Sequence, residues 1–137
     1  MPKFDEAQLE SAIIELFQKN GFIYENGETI HRKYDEVILP EDLSDFLLNS
    51  YPNLTASELE KIINKLRYVP TTPLYKGNRQ AFYLVNEGFD FVRDDVSKPP
   101  IHVKFIDYDN FENNIFKVVN QLTVVDVEWQ QKFRQFF

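Results

Sequence analysis

Positions 107 to 114 carry the densest set of hard oxygen donors in the chain. Asp107, Asp109 and Glu112, with Asn110, Asn113 and Asn114, stand in one short loop, and Ca²⁺ or Mg²⁺ asks for that donor type. The spacing departs from the EF-hand pattern, because no Gly holds the sixth position and no Glu the twelfth. Asp and Asn are also the residues of Asx-turns, where the side chain bonds its own backbone two residues on. Turn and cap duty is the expectation here, and no metal ligand is assigned. A second constellation runs from 61 to 79, with Lys61, Lys65, Arg67, Lys76 and Arg79, no acid, and Tyr68 and Tyr75 interleaved. This run carries +5 in a chain of net charge −7, so the remainder carries −12. Cations alternating with aromatics suit a phosphate backbone, and Lys65, Arg67, Lys76 and Arg79 are the candidate DNA contacts. The same run also reads as the solvated face of two helices.

Other chemistries find little support. His31 and His102 are far apart and have no Cys or His at ligand spacing, and the chain has no Cys at all. That excludes a thiolate metal site, a Cys nucleophile and a disulfide framework. No Gly-x-Ser-x-Gly elbow marks a nucleophilic serine, and no phosphate loop is present. The acidic balance, with pI about 4.8, lacks the basic footprint of a domain that binds DNA unaided. Any nucleic-acid contact must be local or shared with a larger assembly. Hydrophobic residues make up 43% and aromatics 15%, enough for a core and too many for a disordered chain. No apolar run is long enough to span a bilayer and no signal peptide is recognisable, so a cytoplasmic protein is expected.

The elements that must carry these residues come in two kinds. A helix over 5–20 opens on Asp5 as N-cap with Gln8 three residues on, flanked by Phe4 and Leu9, and stops before Gly21. Leu9, Ile13, Leu16 and Phe17 form its expected buried stripe, and Glu10 lies beside that stripe. Phe22-Ile23-Tyr24 suggests a short strand and Glu25-Asn26-Gly27 a turn, followed by a charged connection through His31 to Glu36. Pro40 begins a second helix with Leu43, Phe46 and Leu47 on one side, ended by Pro52. Thr55 and Glu58 form the capping box of a third, with Leu54 and Leu59 as staple and Leu59, Ile62, Ile63 and Leu66 as apolar face. Thr72-Pro73 starts a fourth, Thr as N-cap, with Leu74, Tyr75, Ala81, Phe82 and Val85 as its expected buried side and Gly88 at its end. The period then becomes strand-like. An antiparallel pair, 101–106 with 115–125, is expected, with 89–92 as a possible third member. The last dozen residues, with Trp129, Phe133, Phe136 and Phe137, suggest a helical stripe that breaks the pattern.

Four stretches together resemble the N-terminal part of the restriction (R) subunit of type I restriction-modification systems. They are FDEAQLESAIIELFQKNGF, LSDFLLNSYPNLTASELEKIINKL, TPLYKGNRQAFYLVNEGFDF and VKFIDYDNFENNIFKVVNQLTVV, spanning roughly residues 4–125. The last is the most specific. The resemblance implies a PD-(D/E)xK-type nuclease domain, of which residues 1–125 are the N-terminal part and 126–137 a tail outside the pattern. In that family this segment leads to a Pro-Asp strand and then to a Glu-x-Lys strand. The two acids hold Mg²⁺, and the Lys helps to activate water and stabilise charge. ATP-driven translocase domains follow, and a methyltransferase–specificity complex chooses the DNA site. Mg²⁺ and ATP are thus implied for the full-length protein, with DNA and that complex as partners.

The chain holds no Pro-Asp pair and no Glu-x-Lys or Asp-x-Lys. Of the family's site residues only Glu10 is carried over, as a first-helix carboxylate facing the metal site. The ordinary alternative is an exposed helix residue. Asn120-Gln121 also matches the family phrase and is expected to be structural, with Asn120 hydrogen-bonded within the sheet. The expected architecture is α+β, four helices then a small antiparallel sheet, the front half of an α/β restriction-endonuclease-like domain. The expected function is a catalytically inactive fragment of an R subunit. The rival is a degenerate scaffold or protein-interaction module.

Overall fold

A computed structural model describes residues 5–70 and 72–125. Among them the order is α1 (Glu6–Lys19), β1 (Ile23–Asn26), α2 (Pro40–Ser50), α3 (Ala56–Arg67), α4 (Leu74–Glu87), β2 (Phe89–Phe91), β3 (Ile101–Val103) and β4 (Lys117–Asn120). Short 3₁₀ turns lie at Gly27–Thr29 and Phe111–Asn113. The α+β class and the four helices are as expected. No helix among the described residues is long and apolar enough to cross a membrane. The chain forms two compact units, Met1–Val37 with Phe116–Phe137, and Ile38–Ile115. The second is inserted into the sequence of the first. The aromatic tail 126–137 and Phe4, the expected staple partner of Leu9, lie outside the described residues.

The expected pairing of 101–106 with 115–125 is wrong. β1 and β4 instead pair in parallel, with Ile23 opposite Lys117 and Asn26 opposite Asn120. β3 pairs antiparallel with β2, Phe89 opposite Val103 and Phe91 opposite Ile101. Neighbouring strands in sequence usually pair, and that rule holds for β2–β3 but misses the return of β4 to the first unit. β4 is also shorter than expected. Gln121 adopts φ 51°, a left-handed conformation incompatible with a continuing strand, so Leu122 and Val124 fall beyond it.

In the first unit α1 starts as the sequence dictates. Gln8 N donates to Asp5 Oδ1 at 2.8 Å and Asp5 N to Gln8 Oε1 at 3.2 Å. Gly21, at φ 89°, takes the turn out of the helix. The expected stripe of Leu9, Ile13, Leu16 and Phe17 is not buried, and Leu16 is 60% exposed. The half-buried positions are Glu10 and Ile14, one residue on, a rotation of roughly 100°. α1 packs on β1 and β4, and Asn120 at the end of β4 with Gln121 just beyond it offers side-chain amides to Glu10, so a polar residue takes the inward position. An edge-to-face ladder of Phe17, Phe22 and Phe116, with centroids 5.0 and 5.5 Å apart, closes one end. Arg32 ties the 31–37 connection down by donating to the carbonyls of Glu36 and Thr123.

The second unit holds the core. Phe46 and Leu47 of α2, Ile62 and Ile63 of α3, Leu84 of α4, Phe91, Val103 and Phe105 bury one another, with Leu54 as the staple ahead of α3. The faces expected for α2 and α3 are the ones used. α4 differs. Its N-cap is Pro73, not Thr72, and it makes no side-chain cap bond. Its inward line is Gly77, half-buried Ala81 and Leu84, while Leu74, Tyr75 and Phe82, expected to be buried, point outward. The buried face is thus turned by roughly a quarter turn from the expected one.

Glu58 does more than cap α3. It is 1% exposed; its Oε2 accepts from Arg93 Nε at 2.7 Å and its Oε1 from Arg93 Nη2 at 3.1 Å. Thr55 N and Asp94 N complete its coordination at 3.1 and 3.2 Å. The Arg93 guanidinium, with the backbone amides behind it, holds the Glu58 carboxyl down to about 2 from an ordinary 4.5.

His102 on β3 has acceptors at both ring nitrogens, Asp90 Oδ1 at 2.7 Å and the Glu87 carbonyl at 2.8 Å. Both nitrogens donate only in the imidazolium, and the pKa is raised above 6.5, first by Asp90 and then by Glu87. The stability this contact contributes is fully present below pH 6.5 and is lost as pH rises through the raised value. The wild-type thermal midpoint should therefore fall by a few degrees relative to that of His102→Gln as the pH is raised from 6.5. Parallel curves for the two proteins by circular dichroism would refute this.

Candidate functional site

The one carboxylate that the family resemblance selects sits at the junction of α1 and the end of β4. Asn120 Nδ2 donates to Glu10 Oε1 at 2.7 Å. Gln121 Nε2 donates to Oε1 at 3.1 Å and lies 3.4 Å from Oε2. The Asn120 amide oxygen in turn accepts from the Tyr24 hydroxyl at 3.0 Å. This chain joins α1, β1 and β4 through side chains 96 to 111 residues apart in sequence.

Strand register explains the arrangement. Tyr24 lies opposite Val118, and Asn120 is two residues beyond Val118, so the period of two puts Tyr24 and Asn120 on one face. Glu25 and Lys117 share the other face, and Lys117 Nζ lies 2.5 Å from Glu25 Oε2. The left-handed φ of Gln121 turns its side chain back to Glu10. Gly27 makes room for this turn, since a Cβ there would stand 2.5 Å from the Asn120 carbonyl oxygen and 2.7 Å from that of Gln121. A non-glycine residue held at positive φ is strained, and such positions concentrate at functional sites.

Of the residues expected to matter, Glu10 and Asn120 are brought together. Asn120 bonds across the strand pair, as expected, and also to α1. Tyr24, Gly27 and the conformation of Gln121 were not anticipated. Asn-Gln at a strand end is the only local trace, and it says nothing of its partners.

Most cations of the basic run have a local partner or neighbour of their own. Lys61 is paired with Asp94 at 2.5 Å, Lys65 lies over the Phe89 ring at 5.7 Å, and Arg67 donates to Asn64 Oδ1 at 2.7 Å. Lys76 and Arg79 stand on α4, with Arg79 over Tyr83 at 5.6 Å. The acidic loop serves its own backbone. Asp107 Oδ1 accepts from Asn110 N at 2.8 Å and Asp109 N at 3.0 Å, and Oδ2 from Asn113 Nδ2 at 2.9 Å. The Asn110 amide, above all, keeps the Asp107 carboxyl below its ordinary range.

A family model described as the type I restriction enzyme R protein N terminus matches residues 3–134 of the 137. The chain belongs to this family. A search of curated proteins and a search of solved structures each found no match. The R-protein match spans both compact units and takes in Glu10 and Asn120-Gln121 alike. A divalent cation of the kind the family implies needs several oxygen ligands. Glu10 brings one carboxylate, with Oε1 already taken by two amides, and no group of three or more His, Cys, Asp or Glu suited to a metal occurs among the described residues. These residues of the R protein therefore do not complete a metal site, and no reaction step follows from them.

Proposed function

We propose that this region is the front half of the nuclease domain of an R subunit. The parent protein is a cytoplasmic ATP-dependent DNA translocase and Mg²⁺-dependent endonuclease that works with DNA and a methyltransferase–specificity complex. The region itself neither cuts DNA nor hydrolyses ATP. The observation that carries this is the family match combined with the absence of Pro-Asp, Glu-x-Lys and phosphate-loop motifs. Glu10 is then the single acid this half contributes. Its amide clamp fixes one carboxylate oxygen and the direction of the group.

The amide clamp also suits a second reading, a non-enzymatic scaffold in which Glu10 simply locks α1 to the end of β4. The two readings separate on whether a Pro-Asp and a Glu-x-Lys are encoded in the same reading frame.

The purified 137-residue protein, given Mg²⁺, ATP and plasmid DNA, should show no cleavage and no phosphate release. Cleavage that survives repurification and disappears in Glu10→Ala would sink this reading. On stability, Glu10→Ala should cost about 1 kcal/mol by leaving the part-buried Asn120 amide without its acceptor, whereas Glu10→Gln, which keeps an acceptor, should cost less. Equal denaturation midpoints for all three proteins would show that the clamp carries no weight.

A further inference from the structure

The outward side of α4 is unusual in composition and exposure. Tyr75, Arg79 and Phe82 lie opposite the buried Gly77 and Leu84, and Tyr83 and Lys76 flank them. Tyr75 is 75% exposed and Phe82 63%. Tyr83 stands at the edge of Phe82, with ring centroids 5.9 Å apart, and carries the Arg79 guanidinium above it at 5.6 Å. No Asp or Glu occurs between Lys61 and Asn86, in a chain of net charge −7. A helix that turns its rings outward with cations beside them, in an acid-free stretch, is matched to an anionic ligand that also offers flat faces.

We propose that this side of α4 binds single-stranded DNA, with bases stacked on Tyr75, Phe82 and Tyr83 and phosphates held by Lys76 and Arg79. Base stacking on aromatic side chains tolerates any sequence, and cations beside the rings follow the backbone. In a duplex the base faces are already stacked on one another, so the rings would find no partner there. The proposal stands apart from the nuclease reading, since it requires no metal and no cleavage.

The test is fluorescence anisotropy of a labelled oligo-dT, on the order of 15 nucleotides long, a length within the range of known single-strand sites, with the whole 137-residue protein. Oligo-dT should bind more tightly than a hairpin duplex. Tyr75→Ala with Phe82→Ala should weaken binding by at least about 10-fold. Lys76→Gln with Arg79→Gln should weaken it and flatten the plot of log affinity against log salt by about 1.4. Lys19→Gln with Lys33→Gln, which removes the same charge from exposed positions elsewhere, should leave binding within about 2-fold. All these side chains are exposed, and unchanged thermal midpoints would confirm that each variant is folded. Absence of oligo-dT binding at low salt, or binding untouched by the aromatic pair, overturns the proposal. Self-association that depends on Tyr75 and Phe82, seen by sedimentation without DNA binding, also overturns it and assigns the surface to a second copy of the chain.

Discussion

Glu58→Ala should lower the thermal midpoint by about 10 °C, the largest single effect expected in this chain. The change strands the Arg93 side chain, 9% exposed, as a buried cation without its counter-ion. It also removes the acceptor of Thr55 N and Asp94 N. Breaking one side of a buried pair is far more damaging than replacing both sides by apolar groups. The double variant Glu58→Leu with Arg93→Met should therefore recover much of the loss. The sign of the pH effect follows from the depressed carboxyl. Its contribution is complete above pH 4.5 and disappears as the pH falls toward about 2. Wild type should lose stability over that interval, and Glu58→Gln should lose less of it. A midpoint for Glu58→Ala within a degree of wild type, or identical acid transitions, would show that the pair contributes nothing.

The second large effect belongs to Gly88. It closes α4 at φ 75°, and a Cβ there would lie 2.1 Å from the Val103 carbonyl oxygen and 3.0 Å from its carbon. These are backbone atoms of β3, which cannot swing away as a side-chain tip can. Gly88→Ala should cost about 3 kcal/mol, part of it the positive-φ, extended-ψ conformation (ψ −162°) that is open essentially to glycine alone, and the rest the displaced strand. Gly21 is the internal control, with φ 89° and nothing within 4 Å of its would-be Cβ. Gly21→Ala should cost only about 1 kcal/mol. Equal losses for the two variants in urea titrations would contradict the steric account.

How far the sequence could be read depended on the range of each interaction. The capping boxes at Asp5–Gln8 and Thr55–Glu58, Pro40 at the start of α2 and Gly88 at the end of α4 are all legible, because each involves residues within a turn of one another. The faces of α2 and α3 are legible too, since their apolar residues fall into one unambiguous stripe. α1 and α4 are not. In each the face used differs from the apolar stripe the sequence offers: amide donors draw Glu10 inward on α1, and Gly77 and Leu84 take the buried side of α4. The second role of Glu58 is hidden because its partner Arg93 is 35 residues away and nothing local marks the pair. The clamp around Glu10 is hidden for the same reason, and because a positive φ at a glutamine has no signature in the sequence.

The parallel pairing of β1 with β4 has a consequence for synthesis on the ribosome. β1 emerges early, but its partner follows only after the whole of Ile38–Ile115 has been translated. A closure of that length is slow compared with local contacts. The inserted unit, complete in itself, has time to fold first. Until Lys117–Asn120 arrives, β1 presents an unpaired edge and Glu10 has no amide to receive. The pairing of β1 and the packing of α1 against β4 are thus late contacts among these residues, although α1 and β1 precede all their partners in synthesis.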